Sequence, residues 1–437
     1  MHGTDANTSA PIKLSRRHIA AATIGNALEF YDFTTYTFFA IQIGHAFFPS
    51  ENSFVSLMLS LATFAIGFIT RPLGGVVIGR YSDRVGRRPA MVLTFALMGG
   101  AIIVLALTPS YASIGIAAPV VVIIARMVQG FSLGGEVGPT TAFLLESAPV
   151  ERRGVVVSWQ LASQLAANVV GGLVGFTLAV LLSSDTLDTY GWRIAFLLGA
   201  LALPFGLWIR RTLPETLHEP EAHAVQPSTA DAGFDLARAS RRIILVGLVG
   251  LAYGTISTYT SQYFATYAQD TLQMSTRAAF GATVATNGAA FVGIFLGGWL
   301  SDYIGRKPIM IWPNVAFLLI VYPLFIWIVG ARSSTVLLIG AAIFGFARAV
   351  GLGAFFAALT ESLPKPIRGG TLAIVYATAI AIFGGTAQNV VTWLIHVTGD
   401  PLAITWYVIL SGVFALVAMA FMLESAPVRR KVAPKAA

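Results

Sequence analysis

Cysteine is absent from the 437 residues, so the chain can build no disulfide framework, thiolate metal site or cysteine nucleophile. Charge is nearly as scarce. Asp, Glu, Lys and Arg make up 11% of the residues, where a soluble globular domain carries roughly a quarter. Too few ionic groups remain to keep the surface of a soluble protein of this size wet. No Gly-rich phosphate loop ending in Lys-Ser or Lys-Thr occurs, which argues against a nucleotide-driven pump. No nucleophile paired with a base stands out, so an enzyme is not expected, nor is a cofactor or a metal. Long polar stretches are missing too, with one internal exception: Leu213 to Ser240, which holds Pro214, Pro220, Pro227 and mixed charges.

What the chain has in abundance is apolar sequence, 56% of all residues, with a mean hydropathy of +0.75. A helix that crosses a bilayer needs about 20 mostly apolar residues, because hydrocarbon cannot satisfy backbone polar groups. Twelve such spans are predicted, near 18–42, 54–80, 89–108, 115–146, 154–182 and 192–211, then 241–267, 277–301, 308–330, 335–361, 369–397 and 402–424. The chain therefore divides into an N-terminal tail (1–15), a six-helix bundle (16–212), a linker (213–240), a second six-helix bundle (241–425) and a C-terminal tail (426–437). The tail is polar and precedes a full-length apolar run, so it does not read as a cleaved signal peptide.

The net charge of +8 is spread between the apolar runs and forms no single patch, so no nucleic-acid partner is expected. Of the 28 Lys and Arg residues, 22 fall on the side that holds both tails and the linker. Arg193, Arg277 and Arg332 fall on the other, and Arg71, Arg126 and Arg348 lie within spans. Basic residues accumulate on the cytoplasmic side of short loops. Both termini are thus expected in the cytoplasm, and the partners implied are a lipid bilayer and whatever crosses it.

The two bundles repeat each other. Gly79-Arg-Tyr-Ser-Asp-Arg-Val-Gly-Arg-Arg-Pro89 returns 219 residues later as Gly298-Trp-Leu-Ser-Asp-Tyr-Ile-Gly-Arg-Lys-Pro308. Glu146-Ser147, Pro149 and Arg153-Gly154 return 215 residues later as Glu361-Ser362, Pro364 and Arg368-Gly369, and Glu215-Thr216 matches Glu424-Ser425 more weakly. Two six-helix halves of equal orientation are parallel repeats, which enclose a central site that opens alternately to either side. The doubled GxxSDxxGRRP loop resembles the signature of the major facilitator superfamily over nearly the whole chain. That resemblance implies an all-α membrane protein of twelve transmembrane helices in two pseudo-symmetric bundles. Asp83 and Asp302 stand at helix ends, where a carboxylate suits a facing helix N-terminus. Arg87 and Arg306 can pair with Glu146 and Glu361, and these six residues are expected to gate the cytoplasmic side.

Ionisable groups within a span are costly, at least roughly 2.5–3.5 kcal/mol each on insertion scales, so they mark function. On the first span Asn26, Glu29, Asp32 and Tyr36 recur every three or four residues and share a face. Carboxylates one turn apart raise each other's proton affinity, so Glu29 and Asp32, with Glu136 on the fourth span, are the candidates for proton coupling. The alternative for the first-span acids is a static pair with Arg71 or Arg126. Arg126 and Arg348, one per half, could hold a carboxylate with parallel bonds; the bland alternative is that they neutralise the buried acids. Gln129, Gln160, Gln164, Asn26, Tyr36 and Tyr376 complete the expected substrate-binding set. Gly130, Gly134 and Gly138 repeat every four residues, which lets another helix approach closely.

Three further segments narrow the resemblance: Gly25-Asn-Ala-Leu-Glu-Phe-Tyr-Asp-Phe33, Arg71-Pro-Leu-Gly-Gly75 and Arg126-Met-Val-Gln-Gly-Phe-Ser-Leu-Gly-Gly-Glu136. They resemble the metabolite–proton symporters. Ser158-Trp-Gln-Leu-Ala-Ser-Gln164, Ala381-Ile-Phe-Gly-Gly385 and Thr398-Gly-Asp400 are similar to the citrate and tricarballylate symporters. Arg348 is not part of that pattern, and as a departure it bears on substrate charge or shape. The resemblance implies a monomeric secondary transporter of the bacterial inner membrane that imports a small carboxylate with protons. A symporter for a zwitterion such as betaine or proline is the nearest alternative. A membrane sensor is another, although no soluble module of domain size is appended to it.

Overall fold

The computed structural model describes residues 16–85, 87–134, 141, 144–145, 148–201, 204, 230–364 and 368–426. For some helical positions, Glu29, Asp32, Asp83 and Arg87 among them, only the backbone is described. Glu136 and Glu146 lie outside the described residues.

The first half begins with α1 (Arg16–Phe38) and α2 (Ala40–Phe47), one span interrupted at Phe39, and continues with α3 (Ser53–Ile69) and α4 (Arg71–Val85), interrupted at Thr70. Then come α5 (Arg87–Leu107), α6 (Ala117–Leu133), α7 (Arg153–Leu181) and α8 (Trp192–Leu201). The second half holds α9 (Ala230–Gln262), α10 (Thr276–Ile304), α11 (Arg306–Ala331), α12 (Ser334–Ser362), α13 (Arg368–Ala379), α14 (Gly385–Thr398) and α15 (Ala403–Ala420). One π-helical turn, Ile380–Gly384, joins α13 to α14. Among the described residues eight helical stretches are long and apolar enough to cross a membrane. Within the described residues the other four expected spans overlap α1–α2, α5, α6 and α8. Helix α9 starts eleven residues inside the segment read as linker.

Small residues set the helix spacing inside each half, as the four-residue glycine repeat suggests. A Cβ on Gly130 would strike the carbonyl oxygen of Gly67, and one on Gly134 would strike that of Arg71. Helix α6 therefore presses directly on the α3–α4 backbone. The matching approach in the second half is Gly345 of α12 on the carbonyl of Thr286 in α10.

The halves meet along two lines. Helices α7 and α10 touch from end to end: Gly154 lies on Gly298, Gly172 on Val284 and Gly175 on Phe280. Between these, Asn168 donates a 3.0 Å hydrogen bond to Asn287. Across the bundle α3 meets α14, where Gly385 faces Phe68 and Asn389 donates to the Met58 carbonyl at 3.2 Å. Further along, Phe54 stacks on His396 with centroids 3.7 Å apart. Polar contacts cross the seam at both ends, through Asp302 at one and Gln42 with Gln269 (3.4 Å) at the other.

Candidate functional site

The repeated loop is clearest in its second copy. Gly305 separates α10 from α11 with φ +122° and ψ +155°, a backbone region essentially restricted to glycine. The turn brings Arg306 back onto Asp302 at 2.7 Å. Its Nη2 and Nε also donate to the two oxygens of Glu361, at 2.9 and 3.1 Å. Ser425 donates to Glu361 at 2.6 Å, and Glu424 accepts from the backbone N–H groups of Arg306 and Lys307 at 2.8 and 3.0 Å. Asp302 in turn accepts from the backbone N–H of Gly154 at 2.8 Å and Val155 at 3.1 Å, the open N-terminus of α7. Three residues assigned to gating thus share one network. In the first copy, Asp83 ends α4 and Arg87 starts α5, the equivalent backbone positions.

A cavity of about 50 Å³ lies on the seam among α7, α9, α12 and α13, room for a few waters at roughly 10–15 Å³ each. Its polar lining is Gln164 and Asn168 from the first half, and Thr255, Thr258, Tyr259, Gln262, Arg348 and Tyr376 from the second. Arg348 is 2% exposed and donates to the Thr258 hydroxyl at 2.9 Å. Its Nε has no partner, nor has the amide nitrogen of Gln164 or the amide oxygen of Gln262.

Arg126 is fully buried elsewhere. Its Nη1 donates to Gln129 at 2.6 Å, and its guanidinium lies over Phe33 (4.5 Å), Tyr36 (4.6 Å) and Phe64 (5.0 Å). Arg71, 4% exposed, lies over Phe33 and Phe68, both at 4.4 Å. Nε and Nη2 of both arginines lack hydrogen-bond partners. Among the described residues no carboxylate forms an ion pair with Arg71, Arg126 or Arg348. Ring faces carry negative charge density and attract a desolvated cation by about 2 kcal/mol or more. That attraction offsets part of the burial penalty and leaves the N–H forks open.

Of the expected binding residues, Arg348, Gln164 and Tyr376 line the cavity, and Arg126, Gln129 and Tyr36 stand in the aromatic cluster. Tyr36 donates to the Ser60 carbonyl at 3.2 Å, tying α1 to α3. Asn26 and Gln160 lie apart from both, at the α1–α7 junction. There the Asn26 amide donates to Ser163 at 2.7 Å and to the Gln160 carbonyl at 3.3 Å. By its sequence position Arg71 offers itself only as a partner for the first-span acids. What could have singled it out is the spacing Phe64, Phe68, Arg71, which puts two rings and a cation on one helical face.

Two helical halves that close on a seam, with a polar cavity and buried cations that no described carboxylate pairs with, define a polytopic membrane transporter. The chain belongs to the Major Facilitator Superfamily, whose family model matches residues 22–295. It is 35% identical over 411 residues to a citrate-proton symporter of Salmonella typhi, covering 92% of this chain and 93% of that protein. It is 31% identical over 417 residues to a putative proline/betaine transporter of Staphylococcus aureus (strain COL), covering 94% and 88%. The crystal structure of a D-xylose-proton symporter shares the fold, with a TM-score of 0.75 over 94% of this chain and 98% of that one, at 20% identity.

Proposed function

We propose that this protein imports a small di- or tricarboxylate, such as citrate or tricarballylate, together with protons, by alternating access across the bacterial inner membrane. One observation carries the reading: buried arginines beside the seam, with open N–H donors and no carboxylate ion partner among the described residues. Guanidinium binds carboxylate through two parallel bonds, so a carboxylate entering the seam would satisfy what the fold leaves open. The 35% identity to a citrate-proton symporter supports the same substrate class.

In this reading the protein works as a monomer with both termini in the cytoplasm, and residues 16–212 and 241–425 rock against each other. Arg126 and Arg348 hold the anion, with Gln164 and Tyr376 at the cavity wall. Glu29, Asp32 or Glu136 takes the coupled proton, which removes a buried charge and lets the loaded carrier reorient. Asp302, Arg306 and Glu361, with their counterparts Asp83, Arg87 and Glu146, hold the cytoplasmic side closed until the halves turn.

Uptake of labelled citrate into proteoliposomes tests the proposal. Inward accumulation should follow an imposed pH gradient, and uptake indifferent to that gradient would count against coupling. The second reading, a symporter for a zwitterion, is favoured by the 31% identity to a putative proline/betaine transporter. Arg348→Gln separates the two: zwitterion uptake would survive it, and tricarboxylate uptake would not.

A further inference from the structure

The buried arginines that no described carboxylate pairs with are unevenly divided. Arg71 and Arg126 belong to the first half and Arg348 to the second. The first two share one support, the ring of Phe33, which lies 4.4 Å from one guanidinium and 4.5 Å from the other. Phe68 backs Arg71 at 4.4 Å, and Phe64 backs Arg126 at 5.0 Å. Two like charges on one buried ring repel each other in a medium that screens poorly. They favour an arrangement with negative charge nearby, and no described carboxylate pairs with either.

A carboxylate placed there would have occupied the N–H forks. A ring face balances charge without accepting those bonds, so Nε and Nη2 of both residues stay open. The pair is also close to the cavity. Tyr259, which lines the cavity, packs against Phe68 and Phe64 with centroids 5.3 and 5.9 Å apart, the two rings that back Arg71 and Arg126.

We propose that Arg71 and Arg126 form one anion-binding unit, kept charged and open by Phe33, that takes two carboxylate groups of a single substrate while Arg348 in the opposite half takes the third. This rests on the carboxylate reading above and adds to it a division of labour. The first half alone suffices to hold a dicarboxylate. Arg348 reads the extra carboxylate and sets selectivity for tricarboxylates. Phe33 is a positioning residue that acts through the two arginines. Tyr259 must turn aside for one molecule to reach both halves.

The test compares two acids with the same five-carbon backbone, tricarballylate and glutarate, the second lacking the middle carboxylate. The full chain is reconstituted in proteoliposomes under an inward proton gradient. Arg348→Gln should lower tricarballylate uptake about tenfold or more relative to glutarate uptake, the loss of one charge-assisted contact. Arg71→Gln should depress uptake of both acids to a similar degree. Phe33→Leu, which keeps apolar bulk but removes the ring, should raise KM for both acids while the maximal rate persists. Equal loss of both acids in Arg348→Gln would overturn the division, and unchanged uptake in Arg71→Gln would overturn the pair.

Should Arg71→Gln not fold, Arg71→Lys keeps the charge but loses the fork. Its thermal stabilisation by tricarballylate in detergent should then be much smaller than the wild-type shift, and an equal shift overturns the pair. Failure of the carboxylate reading itself looks different, because the wild-type chain would then take up neither acid. Failure of the present inference leaves wild-type uptake intact and shows only in the variants.

Discussion

The carboxylate of Asp302 accepts a 2.8 Å hydrogen bond from the backbone N–H of Gly154, so a side chain of the second half caps a helix of the first. The first N–H groups of a helix have no partner within it, and the partial positive charge there favours an anion. Arg306 holds the other side of that carboxylate at 2.7 Å. The contact needs glycine at 154, since a Cβ there would collide with the carbonyl of Gly298 and with Asp302 itself. A motif repeated along the chain thus joins the halves only through this geometry.

Asp302→Asn should loosen this end of the seam. A hydrogen bond to a charged group contributes roughly 1.5–3 kcal/mol, enough to shift a balanced two-state equilibrium strongly. The chain has no cysteine, so a single Ser158→Cys reports cleanly. Ser158 is buried, with its hydroxyl 3.2 Å from the Ile294 carbonyl across the seam. Labelling of that cysteine by a thiol reagent should speed up in the Asp302→Asn background, and an unchanged rate would show that the contact does not hold the seam closed.

Glu361→Gln should be destabilising, because Arg306 is fully buried and loses its two-pronged partner. Breaking a buried ion pair from one side costs about 3–5 kcal/mol. Thermal unfolding in detergent should show a clear drop, and an unchanged melting temperature would show that the Arg306–Glu361 pair does not hold the fold.

Gly130→Ala should prevent folding or sharply reduce expression, since the new methyl falls on the Gly67 carbonyl. Gly100 in α5 has nothing within 4 Å of its Cβ position. There alanine should be neutral or stabilising by about 0.5–1 kcal/mol, the usual penalty for glycine inside a helix. Expression and melting temperature of the two variants decide the matter, and similar behaviour would refute close backbone packing at Gly130.

Among Glu29→Gln, Asp32→Asn and Glu136→Gln, at least one should abolish gradient-driven accumulation yet keep exchange of labelled for unlabelled substrate. A carboxylate that must take and release the proton stalls net flux when it is permanently neutral. Exchange needs no net proton movement. If all three variants still accumulate substrate against its gradient, the coupling site lies elsewhere.

Much of the architecture was legible in the sequence because its causes are local. Run length alone marks a span, since backbone groups in hydrocarbon must bond within their own helix. The interruptions at Phe39 and Thr70 were not legible, because the residues there do not break helices by themselves. Nor was the reach of α9 back to Ala230, which runs through polar sequence without the apolar signal that marks a span.

The site divides along the same line. The sequence by itself determined that arginines lie within spans and that a charged motif occurs twice, because residue type and spacing suffice for both. Only the tertiary structure decided their surroundings. It set Arg348 and Gln164 at the cavity, paired Asn26 with Ser163 at a helix junction, and joined Arg71 to Arg126 over the ring of Phe33. Spacing along one helix tells which residues share a face. The neighbour that face meets depends on how several helices cross, and that is decided by packing among residues far apart in the chain.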